Sequence, residues 1–483
     1  MLTRDRSVKI LATLGPASSD QATIKALYEA GADVFRINMS HGDPEKMREI
    51  MAMIRSVEDE VGRPIGILVD IQGPKLRVGK FKDDAVMLEK GATFRLDSSE
   101  QPGTVDRVHL PHPEIFQGMQ VGHSLILDDG KLRLICTNTD SDSYIETEVI
   151  VGGKLSSRKG VSLPDTIITG GTLTEKDKVD LQAALEADAD WIALSFIQQP
   201  EDVAAVRKIA RGRSGILSKI EKPQAVEKID EIIELSDAIM VARGDLGVEM
   251  PLALLPGTQK RITRAARKAG KPVVVATQML ESMISSPVPT RAEVSDVAAA
   301  VYEGADAVML SAESAAGDYP VEAVATMNTI ARETEHDPYY RPILEAQRTP
   351  PQPTGADAIS AAARQIAETL HLAAIVCYTS SGATGLRVAR ERPTTPIVAL
   401  TPKLRTARRM ALIWGVHAVT TEDAHDIDDM VERGCALAIT EGFAAAGNRI
   451  IVTAGVPFGT PGATNMLRIA FVREDHSNFA IDG

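Results

Sequence analysis

GILSKIEKPQAVEKIDEIIELSDAIMVARGDLG (215–247) holds two short apolar runs, GILSKIE and AIMVAR, joined by a helical segment. A strand, a crossover helix and a second strand of the same kind read as one βαβ unit. The runs carry few alternating polar residues, as parallel strands covered on both faces do. Each ends in polar groups. Lys219 and Glu221 close the first, Asp245 the second, and Thr277 the next run, PVVVATQ (272–278).

The same rhythm extends outward. VKILATLG (8–15), DVFRINMS (33–40), IGILVDIQ (65–72) and WIALSFI (191–197) precede this stretch, and AVMLSAE (307–313) follows it. Amphipathic segments such as ATIKALYEAGA and VEAVATMNTIARE lie between, and Thr174 with Asp177 makes a capping-box-like helix start. Eight such units predict an α/β chain built on a (β/α)8 TIM barrel, with its chemistry at the C-terminal strand ends.

The rhythm breaks once, between the third and fourth runs. Residues 73–159 are strand-like, as in VMLEKGATFRL, HSLILDDGKLRLIC and SYIETEVIVGG, with Asp129-Gly130 as a tight hairpin turn. The expectation is an inserted small β-barrel domain, hinged over the mouth as a lid that excludes water. The barrel is then 1–72 with 160–344, and the Pro-rich 345–356 is a linker. A C-terminal doubly wound α/β domain over 357–483 follows from AAIVCYTS, PIVAL, VHAVTT, RIIVTAG and LRIAFV.

Bulk properties narrow the function. The 483-residue chain carries a formal net charge of −13, which argues against nucleic acid or an anionic membrane as main partner. Cys136, Cys377 and Cys435 are far apart and form no C-x-x-C, which predicts a reduced, cytoplasmic setting. The start MLTRDRSVKI has no apolar core of a secretory signal. No apolar run reaches the ~18–20 residues of a membrane helix.

Glu221 and Asp245 are candidate ligands for Mg²⁺ or Mn²⁺, which take oxygen donors and complete an octahedron with water and substrate. Taken alone, each is equally an ordinary loop acid; paired on neighbouring strand ends beside Lys219, they point to an anionic substrate. Lys219 is either a fixed cation for a phosphoryl group or an ion-pair partner of Glu221. Arg36 ends the second strand and can clamp a phosphate bidentately. Thr277 and Ser311 end strands seven and eight, where hydroxyls contact ligands or cap helices. In the last domain, CYTSSGATGL (377–386) reads as strand, Ser/Thr/Gly loop and helix, a weak phosphate-loop pattern, and GVPFGTPGATN (455–465) is a second one.

Long segments together resemble the pyruvate kinase family: KILATLGPAS (9–18), RINMSHGD (36–43), KGVSLP (159–164), KIEKP (219–223), VARGDLGVEMP (241–251), ATQMLESM (276–283), PTRAEVSDVA (289–298) and DAVMLSAESAAGDYP (306–320). The resemblance implies transfer of the phosphoryl group of phosphoenolpyruvate to ADP, giving pyruvate and ATP as the last step of glycolysis. By position, Glu221 and Asp245 hold the divalent cation. Lys219 stabilises the transferring group and the enolate, and Arg36 grips the phosphoryl group. Thr277 contacts the substrate carboxylate with Gly244 beside it, and Ser311 and Glu313 lie in the proton-relay region. Asn38, His41, Arg77 and Lys159 match positions near the nucleotide phosphates. Thr379, Ser380, Ser381, Gly382 and Thr384 match the family's effector loop, which implies a sugar phosphate or nucleotide monophosphate as regulator. A homotetramer is also implied.

One segment departs from the commonest pattern. Many members hold K⁺ at positions matching Asn38, Ser40, Asp70 and a threonine, where Ile71 stands here. They carry lysine in place of Gln72 and glutamate in place of Lys75. A lysine at 75 supplies the charge that K⁺ supplies elsewhere, and K⁺ beside it would meet like-charge repulsion. The expectation is that K⁺ is not required; the bland alternative has Lys75 pointing to water. Lys222, where many relatives carry asparagine, is read as peripheral. Two other functions share parts of this pattern: a metal-dependent 2-oxo acid lyase and a non-catalytic sugar-phosphate sensor.

Overall fold

A computed structural model describes residues 4–478 apart from 41, 169, 170, 172 and 458–463. Eight parallel strands close into a barrel: β1 Lys9–Leu14, β2 Val34–Asn38, β3 Gly66–Ile71, β4 Trp191–Leu194, β5 Gly215–Ile220, β6 Ala238–Ala242, β7 Val273–Ala276 and β8 Ala307–Leu310. β1 closes the ring on β8 through the pairs Lys9↔Ala307 to Ala12↔Leu310. Almost every residue of these strands is buried, which explains their unbroken apolar reading. The predicted runs and the strands agree to within a few residues, and Lys219, Glu221 and Thr277 fall at or just past the strand ends.

The insertion between β3 and β4 forms a six-stranded sheet and a two-stranded ribbon around its own core, which includes Phe94, Phe116, Leu125 and Leu134. It is tied to the barrel by a narrow hinge, where Arg77 bridges Gly160 and the Val78 N–H donates to Lys159 O at 2.9 Å. The hinge is anchored from below. Helix α1, Glu175–Glu186, opens with the Thr174–Asp177 capping box, and Asp177 Oδ1 also accepts the Gly73 N–H at 3.0 Å. Gly73 has φ +69, and a Cβ there would stand 3.0 Å from the Phe196 ring, so glycine lets the hinge lie against the turn after β4.

The expected tight turn is present: Asp129 and Gly130 are its two central residues, and the Lys131 N–H closes it on Asp128 O at 3.2 Å, one step beyond the paired Leu127 and Leu132. Asp128, Asp129 and Gly130 all take positive φ, at 51°, 54° and 95°. Aspartate tolerates the left-handed region, and Asp128 is held by Lys131 at 3.1 Å and Lys159 at 2.8 Å.

Helices Tyr340–Ala346 and Gly355–Leu370 leave 347–354 as connector. Beyond it, β9 Ile375–Tyr378, β10 Ile397–Thr401, β11 Val416–Thr420, β12 Arg449–Gly455 and β13 Thr464–Phe471 form one sheet in the order β11-β10-β9-β12-β13. Four strands are parallel and the last is antiparallel. Partly buried ion pairs fasten this sheet's domain to the barrel, among them Arg408 Nε to Glu58 at 2.8 Å and Arg63 to Glu441 at 2.6 Å.

Candidate active site

Four charged side chains meet inside the barrel mouth. Lys219, in β5, places its ammonium 2.8 Å from Glu221 Oε1, 3.4 Å from Asp70 Oδ2 and 2.8 Å from Ser195 Oγ. Asp70, in β3, accepts from Arg36 Nε at 2.7 Å, and Arg36 reaches Thr13 Oγ1 at 3.1 Å. All four are buried. Two cations and two carboxylates balance, which is how charge survives out of water. Burial acts against every one of these ions. It would raise Asp70, yet Lys219 and Arg36 hold that carboxyl below its ordinary value. It would lower Lys219, yet Asp70 and Glu221 raise the ammonium.

Glu221 differs. Burial pushes it up to about 7, Lys219 opposes the rise and Asp245 adds to it. Its Oε2 accepts the Phe196 N–H at 2.6 Å, and Oε1 faces the Lys219 ammonium at 2.8 Å. Lys219 is shared between Glu221 and Asp70, and Asp245 is a second acid near Glu221, so the site has room for further positive charge. Glu221 and Asp245 therefore fit a hard divalent cation. Among the described residues no cluster of three or more His, Cys, Asp or Glu could hold a metal, so most coordination positions would fall to water and substrate.

Asp245 does not end a strand as expected. β6 stops at Ala242 and the chain turns at once into helix α2, Arg243–Glu249, with Asp245 exposed in its first turn. A carboxylate is favoured there by the unpaired N–H groups and the helix dipole.

Thr277, just past β7, sits at φ +69, followed by Gln278 at φ +54. A β-branched residue in the left-handed region is costly and needs support. Thr277 Oγ1 accepts the Gly244 N–H at 2.7 Å and donates to Ala276 O at 2.6 Å. Arg243 holds the same turn, donating to Thr277 O at 2.7 Å while pairing with Asp296 at 2.6 Å. Glu313 ties the last two loops together, accepting from Ser311 N at 2.7 Å and Leu280 N at 3.1 Å.

A cavity of about 250 Å³ opens between mouth and lid, lined among others by Lys75, Arg77, Asp129, Phe196, Lys222 and Asp245. Lys159 is tied to Asp128 on the lid, and Arg77 donates to Arg158 O at 2.9 Å. Asn38 Oδ1 accepts from Ser40 N at 3.0 Å, in register beside Asp70. His41 lies outside the described residues. Lys75 is half-buried and has no hydrogen bond or ion pair among the described residues. Its ammonium is lowered by burial, then by Arg77 and Lys219, while Asp245 and Asp70 oppose that shift. A larger cavity, about 600 Å³, lies between the opposite end of the barrel and the last domain. It contains none of the candidate residues.

Reading Lys222 as peripheral is incorrect. Its side chain is buried and paired with Glu249, with the ammonium 5.7 Å from the Phe196 ring. Ser195, Phe196 and Arg243 were also missed. Ser195 and Phe196 follow β4 directly, so the strand-end rule alone was the signal for them. Nothing local marks Arg243 as the support of a turn 34 residues away.

Family models for the pyruvate kinase barrel domain and the pyruvate kinase alpha/beta domain match residues 5–324 and 357–470. The chain belongs to the pyruvate kinase family. It is 62% identical to a pyruvate kinase of Methylorubrum extorquens, over 99% of this chain and 100% of that protein. Pyruvate kinases of Agrobacterium vitis and Corynebacterium glutamicum are 47% and 42% identical, each over at least 96% of this chain and 98% of their own length. The chain is an enzyme with pyruvate kinase function, a phosphotransferase, which sets aside the lyase and sensor alternatives.

The Ser/Thr/Gly loop expected to take an effector follows β9. Thr379 Oγ1 accepts the Gly382 N–H at 2.9 Å, and Gly382, at φ +86, caps helix α3, Ala383–Arg390. Thr384 is buried and bonded to Thr464 Oγ1 at 2.8 Å, which leaves Ser380 half-buried and Ser381 exposed. Most of the second Gly-rich loop, 458–463, lies outside the described residues. No helix among the described residues is long and apolar enough to cross a membrane.

Proposed function

We propose the following roles in the transfer of the phosphoryl group of phosphoenolpyruvate to ADP. Arg36 binds the phosphoryl oxygens. The bond from phosphorus to the enol oxygen breaks as one to the ADP terminal oxygen forms, and Lys219 faces the charge that spreads over the moving group and the enolate. Glu221 and Asp245 would hold Mg²⁺ or Mn²⁺, whose charge neutralises substrate carboxylate and phosphoryl oxygens. Thr277 orients the substrate carboxylate with the Gly244 N–H, and the enolate carbon takes its proton in the region of Thr277, Ser311 and Glu313. Asn38, His41, Arg77 and Lys159 bind the nucleotide phosphates, and residues 73–159 close as a lid that excludes water. The observation that carries this reading is the Lys219 ammonium, buried and held between Glu221, Asp70 and Ser195 within 3.4 Å.

We further propose that no monovalent cation is needed. Ile71 offers no side-chain oxygen, and Lys75 lies within electrostatic reach of Asp70 and Asp245, where its charge replaces that of K⁺. The half-buried Ser380, the exposed Ser381 and the α3 start support a phosphorylated effector, a sugar phosphate or nucleotide monophosphate. Edge strand β13 exposes Ile469 and Phe471, at 42% and 67%, which supports a homotetramer built partly through this sheet. The three free, buried cysteines support a cytoplasmic location.

The test is pyruvate formation from phosphoenolpyruvate and ADP with Mg²⁺, free of K⁺ and NH₄⁺, then with K⁺ added. Turnover little changed by K⁺ is expected. Turnover only with K⁺ would retain the kinase and remove the role of Lys75.

A further inference from the structure

Lys222 and Glu249 form a buried ion pair that belongs to neither the substrate set nor the nucleotide set. Their side chains are 6% and 3% exposed. An ion pair buried this deeply is weak evidence for stability, because desolvation offsets most of the attraction. Its position is more informative. Lys222 follows Glu221 in the chain. Glu249 lies four residues after Asp245 on α2, which puts the two carboxylates on one face, one turn apart. The two proposed metal ligands therefore stand on separate elements, and the Lys222–Glu249 pair is a direct link between those elements.

Phe196 joins the same unit. Its N–H holds Glu221 Oε2 at 2.6 Å and its ring faces the Lys222 ammonium at 5.7 Å. Phe196 takes a positive φ of 57°, so the turn after β4 is held in place by its surroundings. The turn after Glu221 is also stitched to the segment returning from the lid, where Gln224 Nε2 donates to Pro164 O at 2.7 Å. Lys222 and Asp245 both line the mouth cavity.

We propose that Lys222 is a positioning residue: through Glu249 it fixes α2 against the turn after β5 and so sets the separation of Glu221 and Asp245 for the divalent cation. Without it, Asp245 keeps two acids, Glu221 and Glu249, within electrostatic reach and loses the cation that offsets Glu249. This inference rests on reading Glu221 and Asp245 as the metal ligands.

The experiment titrates the full-length protein with Mn²⁺ alone, followed by electron paramagnetic resonance of free Mn²⁺, for wild type, K222M, K222R, E249Q and D245N. K222M should weaken Mn²⁺ about tenfold, as loss of an outer partner of a metal ligand does, and K222R should restore most of it. In turnover assays, the Mg²⁺ needed for half activation should rise in K222M while the KM for ADP at saturating Mg²⁺ stays put. Wild-type Mn²⁺ affinity in K222M, with D245N weakened, overturns the positioning role. So does a K222M defect confined to the KM for ADP. If K222M does not fold, E249Q decides: unchanged Mn²⁺ affinity overturns the inference and weakened affinity supports it. Wild-type Mn²⁺ binding by D245N would instead overturn the metal assignment beneath it.

Discussion

At the barrel mouth, Arg36, Lys219, Asp70 and Glu221 are buried in one connected set. After β9, the loop Thr379–Thr384 carries no charged side chain, and two of its hydroxyls are already bonded within the fold. Both segments follow a parallel strand and precede a helix. The mouth holds its charges in fixed places, with one ammonium shared between two carboxylates. The loop has only exposed hydroxyls and backbone N–H groups to offer. Fixed charge in a closed site is what a transition state needs; a displaceable hydrogen-bonding loop suits a ligand that binds and leaves.

The strongest way to break this contrast is to remove charge at the mouth. Lys219→Met should lower kcat by about 10³-fold or more, since it removes the cation facing developing charge. It also leaves Asp70 and Glu221 short of a partner, so a stability loss of about 3 kcal/mol is expected in urea unfolding, unless Glu221 takes up a proton. Next in size is Lys75→Glu. With K⁺ absent the rate should fall roughly tenfold to a hundredfold, about 1.4–2.7 kcal/mol, and added K⁺ should restore much of it. A K75E enzyme indifferent to K⁺ would show that Lys75 is a hinge residue pointing to water.

The barrel was legible because its strands are buried on both faces, and such runs carry their own signature. Lys219, Glu221 and Thr277 were legible for the same reason: each is the polar residue that closes an apolar run. Lys222 was not, because one residue beyond the strand end the sequence says nothing about which way the chain turns. Its burial depends on Glu249, 27 residues later. Arg243 and the left-handed Thr277–Gln278 turn are equally non-local, since each is stabilised by the other. The turn at Asp129-Gly130 was legible because both central residues must take positive φ, which aspartate and glycine tolerate.

A smaller effect separates the mouth's acids by pH. Glu221 has a folded value near 7, above the ordinary 4.5, so the folded metal-free protein binds the extra proton. Its contribution favours folding at low pH and is lost as pH rises from about 4.5 to about 7, on the order of 1–3 kcal/mol. Asp70 works in the opposite sense. Its lowered value contributes stability above the ordinary 3.8 that disappears on further acidification. Calorimetric melting of metal-free protein should therefore show Tm falling between pH 5 and about 7, and Mg²⁺ should remove much of that fall. Glu221→Gln should flatten the profile while leaving the acid limb.

The smallest effects belong to the loop after β9, and they divide its residues in two. Thr384→Ala breaks the buried bond to Thr464 and leaves that hydroxyl without its partner, which should cost about 1 kcal/mol in urea unfolding. Ser381→Ala alters an exposed hydroxyl and should leave stability within about 0.5 kcal/mol. Turnover without effector should be unchanged in Ser381→Ala, because the loop is remote from every residue of the mouth. Its response to a sugar phosphate or nucleotide monophosphate should weaken several-fold, as expected when one hydrogen bond to a charged group is lost. If Ser381→Ala responds as the wild type does while Thr384→Ala alone does not, the loop acts through its packing on β13 rather than through exposed hydroxyls, and the contrast with the mouth would have to be redrawn.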